Sequence, residues 1–225
     1  MKKQQRLWRG FLYGAGLLVL TCGITLNTKT LLGVSPVISV PNCLSLLYGW
    51  KLGWLVTVLY LGCVLIQIPL KGRRFGTLDL MQFPVSVLCG WLVGLYDTWL
   101  NFPRLGLPLR LGLLAAAILL TGAGVCLTVD MELAPNPMDG LVSSLSQATG
   151  RSLGLCKNLL DVTCVGVTAA LGLLLGGQVL GVGVGTLASM LLTGRVIAGI
   201  NRAFRQPMRR LAGLEPAGTG EPSAL

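Results

Sequence analysis

Six apolar stretches of the chain are long enough to cross a bilayer. A spanning helix needs ~20 mostly apolar residues, because the hydrocarbon core is ~30 Å thick and each helical residue adds ~1.5 Å. The stretches that meet this requirement are Trp8–Leu26, Leu52–Leu70, Leu78–Leu100, Leu109–Val129, Leu153–Leu175 and about Val179–Ile200. The pattern therefore predicts an all-α polytopic membrane protein with six transmembrane helices.

Two further segments, Pro36–Tyr48 and Pro137–Ala148, are too short to cross. Each follows a residue that is a good helix N-cap, Ser35 or Asn136, and each begins with proline, which suits the first helical turn. The sequence therefore predicts two short helices. They either enter the membrane and return, or lie in its interface.

The two short helices belong to a repeated pattern. At an offset of 101 residues, matching residues include Gly23 and Gly124, Leu32 and Leu133, Pro36 and Pro137, and Gly49 and Gly150. Further on, Gly76-Thr77-Leu78 matches Gly185-Thr186-Leu187 at an offset of 109, with eight extra residues around Gly176–Gly185. A fixed register of this length indicates a duplicated unit of span, short helix, span, span. The repeats cover about 8–100 and 109–205 of one membrane domain, 1–225, with a cytoplasmic tail at 206–225.

Composition agrees with a membrane protein, since 53% of the residues are hydrophobic and 12% are charged. A net charge of +10 would suggest nucleic-acid binding in a soluble protein, but here the basic residues flank apolar spans. The expected partner is therefore the lipid bilayer and not nucleic acid. A homodimer is left open.

Basic residues cluster on one side of the predicted spans. With the N-terminus inside and six crossings, the cytoplasmic set has 13 members and the outer set has four. The inner set is Lys2, Lys3, Arg6, Arg9, Lys71, Arg73, Arg74, Arg151, Lys157, Arg202, Arg205, Arg209 and Arg210; the outer set is Lys29, Lys51, Arg104 and Arg110. This asymmetry predicts cytoplasmic termini and a cytoplasmic loop at Lys71–Phe75. Three crossings per unit then give the two repeats opposite topology.

Polar residues recur along one face of each short helix. If the helices are re-entrant, their N-termini meet near the midplane, where the helix dipoles favour an anion or the negative end of a polar solute. The candidate substrate-binding residues are Ser35, Pro36, Ser39, Asn42, Asn136, Pro137, Asp139, Ser143, Asp161 and Arg195.

Two of these charges have alternative interpretations. Asp161 either serves a site at membrane depth or pairs with Lys157 one turn earlier. Arg195 either pairs with Asp139 or Asp161, or snorkels to the cytoplasmic end of the last span, which is slightly favoured.

Catalytic, metal and cofactor sites have little support in the sequence. The chain has no histidine, and it has no serine nucleophile with a matching base. Its seven cysteines lie mainly inside apolar runs without close pairs, so they are interpreted as small buried hydrophobic residues. Gly181, Gly183 and Gly185 do not follow a strand, so a nucleotide-binding loop is not expected. We expect no enzymatic activity and no cofactor.

Several motifs resemble the YczE branch of the YczE/YyaS/YitT bacterial membrane proteins. They are Pro137-Met138-Asp139-Gly140-Leu141, Thr149-Gly150-Arg151-Ser152, Lys157, Asp161, Gly176-Gly177 and Gly181-Val-Gly183-Val-Gly185-Thr186. The first repeat departs from the family, since Pro36-Val37-Ile38 stands where a Pro-Trp-Asp stretch is usual. The resemblance implies a multi-pass protein of the bacterial cytoplasmic membrane, with transport as the usual presumption.

The sequence thus favours a small transporter or channel-like protein, with a pathway for a small solute or ion between inverted repeats. The alternative is a non-transporting membrane protein whose basic cytoplasmic rim docks a partner protein.

Overall fold

The structure, a computed structural model, describes residues 3–102 and 105–214 and is helical throughout its regular elements. The helices are α1 (Lys3–Lys29), α2 (Pro36–Tyr48), α3 (Leu52–Lys71), α4 (Thr77–Trp99, irregular at Met81), α5 (Leu107–Asp130), α6 (Pro137–Thr149), α7 (Leu153–Gly176) and α8 (Val184–Leu211). Lys2, Arg104 and residues 215–225 of the predicted tail lie outside the described residues.

Six of the described helices, all but α2 and α6, are long and apolar enough to cross a membrane, as predicted. The last one differs in its bounds. It begins at Val184 and not at Val179, and it continues to Leu211, within the predicted tail. Gly177 and Gly181 explain the later start, because their φ values of 68° and 75° place them outside the helical region.

Both predicted short helices are present, and α6 extends one residue further than expected. Asn136 caps α6 by accepting a hydrogen bond from the Met138 N–H at 3.1 Å. Ser35 has the same backbone conformation, but its side chain accepts no capping bond, so that prediction is wrong. In the first turn of α2 a backbone bond takes its place, from the Ile38 N–H to the Ser35 carbonyl.

The two short helices also end alike. Gly49 and Gly150 have φ values of 68° and 67°, and their N–H groups donate to the carbonyls four residues earlier. A serine in each helix then donates to the backbone just beyond it, Ser45 to Trp50 and Ser146 to Arg151. Left-handed glycine caps of this kind satisfy carbonyls that would otherwise lack partners.

The centre of the bundle is the close crossing of α1 and α5, the most extensive helix pair. A Cβ atom on Gly23 would lie 2.5 Å from the Thr121 backbone nitrogen, and one on Gly124 would meet the Leu20 backbone. Small residues at these points let the two backbones approach closely, which is how helices associate in lipid.

The short helices pack across the α1–α5 pair in a reciprocal way. Helix α2 packs on α7, and α6 packs on α3. On one side, Thr168 of α7 donates to Ser39 of α2 at 2.7 Å. On the other side, Gln67 of α3 donates to the Pro137 carbonyl of α6 at 3.1 Å. These buried bonds fix each short helix to a spanning helix.

We expect Gly23→Ala and Gly124→Ala to destabilise the protein by about 1–3 kcal/mol each, the usual cost of overpacking. The added methyl groups would force α1 and α5 apart. Thermal melting of the detergent-purified chain measures the effect. Gly14→Ala and Gly112→Ala are matched controls on the same helices, since an added Cβ there meets nothing within 4 Å. Equal melting temperatures for all four variants would contradict this packing.

Candidate functional site

A cavity of about 290 Å³ lies where the two short helices begin. Ser35 and Pro36 line it from the start of α2, and Asn136, Met138 and Asp139 line it from the start of α6. The structure therefore brings the two helix N-termini to one internal space. Spanning helices supply the other polar lining residues, Tyr60, Thr121, Lys157, Asn158, Asp161, Ser189 and Thr193.

The cavity lies near the middle of the bundle. Tyr60 and Asp161 each lie about 8 residues after the first residue of their helix, which corresponds to about 12 Å at ~1.5 Å per residue. Half of a ~30 Å hydrocarbon core is ~15 Å. The two short helices therefore begin well along the lengths of the spanning helices beside them, as the re-entrant interpretation expects.

Two carboxylates and one ammonium group face this cavity. Asp161 is only 7% exposed, which confirms that it faces the bundle interior, and Asp139 is half-buried. Lys157 is the basic residue whose charge acts on both, and the two carboxylates also act on each other. Since Arg195 does not line the cavity, Lys157 is the cation of this site.

Neither cavity carboxylate has a close partner among the residues that the structure describes. The other four described carboxylates each form an ion pair within 4 Å, as Lys29–Asp97, Lys71–Asp79, Arg205–Asp130 and Arg209–Glu132. Asp139 and Asp161 form no such pair and no side-chain hydrogen bond in the described part of the chain. Unpaired carboxylates at this depth are costly, and such groups are a mark of functional sites.

Tyr60 and Asn136 form the wall next to the start of α6. Tyr60 is 2% exposed, and its hydroxyl approaches the Asn136 side chain, which is 5% exposed. Asn136 thus caps α6 and contacts the wall of α3. Tyr60 lies within an apolar run, so nothing in the sequence singled it out. Asn158 lies three residues before Asp161, and that spacing on one helix face could have revealed it.

Five of the predicted site residues do not line the cavity. The polar face of each short helix is therefore not, as a whole, part of the site. Ser39 is buried between α2 and α7, and the Pro137 carbonyl accepts from Gln67. Asn42 lines a separate depression beside Gly181, and Ser143 accepts a hydrogen bond from Gln147. Only the first turn of each short helix reaches the cavity, because the rest of the helix leads away from it.

Arg195, the fifth of these residues, is exposed on α8. It forms no ion pair with Asp139 or Asp161 in the described structure, so the less favoured of the two alternatives for this residue is wrong. On α8, Ser189, Thr193 and Ile197 face the cavity. Since helical residues turn by about 100° each, Arg195 lies on the opposite side of the helix from this face.

The cavity opens between α7 and α8. Gly154 and Asn158 of α7 and Gly194 of α8 line the cavity and are exposed, and the two helices make few direct contacts. At the other end of these helices, the Gly181–Gly185 loop is bonded to the α1–α2 linker. The Gly185 N–H donates to Leu32 at 2.7 Å, and the Val34 N–H donates to Gly181 at 2.9 Å. The cavity is thus open beside the start of α7, whereas backbone hydrogen bonds join the two linkers beyond the end of α7.

A buried polar chain, absent from the sequence predictions, supports the α6 side of the site. Gln67 and Gln82 are both 0% exposed and exchange two hydrogen bonds of 3.0 and 3.1 Å. Gln82 also donates to Asp79, which pairs with Lys71. A Cβ on Gly140 would lie 2.7 Å from the Gln82 amide oxygen. The glycine therefore allows α6 to sit directly on this amide pair.

We expect Lys157→Met to lower the free energy of unfolding by about 1–3 kcal/mol, because it leaves the buried Asp161 and the half-buried Asp139 carboxylates uncompensated. Adding Asp161→Asn to that variant should recover most of the loss, since one of the repelling charges disappears. Thermal melting in detergent compares the variants, and Lys51→Met, an exposed position before α3, is the control. An unchanged melting temperature in Lys157→Met would contradict the electrostatic coupling.

Comparisons with known proteins give a family and one relative. The family described as "Family of unknown function (DUF6198)" matches residues 7–202. The chain is 26% identical over 202 residues to the "Uncharacterized membrane protein YczE" of Bacillus subtilis (strain 168), and the match covers 87% of this chain and 86% of that protein. No solved structure matches significantly. The resemblance to YczE-like proteins is therefore confirmed.

Proposed function

We propose that this chain, which belongs to the DUF6198 family, is a transporter of a small solute whose pathway runs through the central cavity. One observation carries the proposal: two helices too short to span begin in the same internal cavity, beside two carboxylates without close partners. Backbone that starts within a bilayer is tolerated where protein or a water-filled cavity satisfies it. A scaffold that only anchors a partner has no need of such a cavity.

Matched local geometry supports two inverted repeats. Leu31 and Glu132, which lie 101 residues apart, both have positive φ, 55° and 49°, at the points where the chain turns back toward the cavity. The glycines of the α1–α5 crossing, Gly23 and Gly124, are related by the same offset. Each unit contains three spanning helices, so two such units in sequence have opposite orientation. Inverted repeats with discontinuous helices at the midplane are typical of secondary transporters.

Ion pairs at the two ends of the bundle support the same relation. Lys29 at the end of α1 pairs with Asp97 of α4 at 2.7 Å, and Asp130 at the end of α5 pairs with Arg205 of α8 at 3.2 Å. Lys29 and Asp130 are 101 residues apart, and their partners Asp97 and Arg205 lie near the ends of the corresponding helices α4 and α8, one residue out of the 109-residue register. The two pairs therefore occupy similar positions with their charges exchanged. The exchange keeps an ion pair between helix ends in each repeat. In the second repeat the basic residue, Arg205, belongs to α8 and lies on the face with more basic residues.

The basic face is proposed to be cytoplasmic, as the charge asymmetry predicts. The start of α7, where the cavity opens, lies on the same face as the α3–α4 loop and the end of α8 in this topology. The cavity then opens toward the cytoplasm, and the hydrogen-bonded Gly181–Gly185 loop closes it on the outer side. This arrangement corresponds to one state of an alternating-access cycle.

The alternative function, docking of a partner protein on the basic rim, has weaker support. Arg9 donates to the Met131 and Glu132 carbonyls, and Arg205 and Arg209 pair with Asp130 and Glu132. These arginines hold α1, α5 and α8 together, and their packing role accounts for them without a partner.

Uptake into proteoliposomes tests the transport proposal. Choline chloride, alanine and sodium gluconate represent a cation, a zwitterion and an anion, and mass spectrometry measures the amount that enters. We expect at least one probe to enter faster than in protein-free liposomes, and Asp161→Asn to slow that entry at least about tenfold. Asp97→Asn, which changes a carboxylate outside the cavity, is the matched control. Entry equal to that of protein-free liposomes for all three probes would contradict transport.

A further inference from the structure

We propose that the ligand of the central cavity is a monovalent organic ammonium ion with a short apolar body. The inference rests on the cavity being the solute site proposed above, and it deepens that proposal by naming a chemical class. It differs from the expectation drawn from helix dipoles, which favoured an anion.

The charge of the cavity wall favours a cation. Asp139, Asp161 and Lys157 are the charged lining residues, so two acidic groups face one basic group and the formal net charge of the wall is negative. Asp139 lies in the first turn of α6, where its carboxylate opposes the positive end of that helix dipole. The contribution of the α6 N-terminus to anion binding is therefore largely cancelled.

Asp161 supplies the second, independent observation. It is more than nine-tenths buried, it lines the cavity, and its carboxylate has no close partner in the described part of the chain. Every carboxylate of the described chain outside the cavity is ion-paired. The two without close partners are the two that share this space, so the position available for a cation lies between Asp139 and Asp161.

The size and lining of the cavity favour an organic cation over a bare metal ion. A volume of about 290 Å³ far exceeds the ~30 Å³ share of one water molecule. Apolar side chains form much of the remaining wall, including Leu20, Ile24, Val125 and Ile197. This apolar part of the wall offers an inorganic ion no oxygen ligands, whereas it matches a short alkyl group attached to an ammonium that the carboxylates bind.

Lys157 is an internal competitor for the same position. It lies one turn before Asp161 and interacts electrostatically with both carboxylates without contacting either within 4 Å. It is half-buried near the open end of α7, so its flexible chain can move its ammonium group toward the mouth when a ligand enters. Removal of Lys157 should therefore strengthen ligand binding, although it weakens the fold.

Calorimetric titration of the full chain in detergent tests this inference with n-butylammonium chloride as the probe. Sodium n-butyrate has the same carbon chain with opposite charge, and sodium chloride at equal ionic strength tests for an inorganic cation. We expect saturable binding of butylammonium, at least about tenfold weaker in Asp161→Asn and several-fold tighter in Lys157→Gln. Asp97→Asn, whose carboxylate pairs with Lys29, should bind like the native chain.

Opposite effects of the two cavity variants are the signature that a purely structural role would not give. Tighter binding of butyrate, equal competition by sodium ions, or no binding of butylammonium to a chain with a native melting profile would each overturn the inference. Butylammonium binding without uptake of any probe would leave this inference standing and contradict transport. Uptake of gluconate without butylammonium binding would support transport and contradict the inference that the ligand is an ammonium ion.

Discussion

With short helices that enter the membrane and return, as proposed, the fold depends on the need to satisfy backbone groups that begin inside a bilayer. A helix that starts at membrane depth exposes up to four N–H groups where lipid provides no partner. In α6, Asn136 accepts one of these bonds, and Gln67 fixes the neighbouring Pro137 carbonyl. In α2, proline removes one donor, and the Ser35 carbonyl accepts another. Residues of both first turns line the cavity, and this links the short helices to the proposed pathway.

The reciprocal packing follows from the same need. Each short helix is only 13 residues long, so it depends on a spanning helix beside it for stability. Thr168 and Gln67 lie 101 residues apart and perform the same task on opposite sides of the α1–α5 crossing. The two sides differ in how closely the last two spanning helices of each repeat pack. Helices α3 and α4 pack closely through Gly53 and Gly90, whereas a gap separates α7 from α8. That difference gives the cavity its opening.

Much of this arrangement could be predicted from local sequence. The first-turn prolines locate both short helices, together with the Asn136 cap of α6, because these local effects act over a few residues and need no tertiary information. The start of α8 was misplaced, since apolar residues at Val179, Leu180 and Val182 resemble a helix, while Gly177 and Gly181 adopt left-handed conformations. The sequence does not predict the roles of Tyr60, Gln67 and Gln82, because these roles arise from contacts between helices. Asp161 was recognisable because a carboxylate in an apolar run requires compensation wherever it lies.

The cavity's access to water is the central claim, and one labelling experiment tests it most directly. Thiols react with a membrane-impermeant reagent only where water can ionise them, and the native cysteines are buried or half-buried, so the native chain measures the background. Ser35→Cys and Asn158→Cys should react in inverted membrane vesicles and not in intact cells, whereas Thr168→Cys, buried against Ser39, should react in neither. A Ser35→Cys chain that reacts from neither side, or only from outside, would contradict a cytoplasm-facing pathway between the short helices.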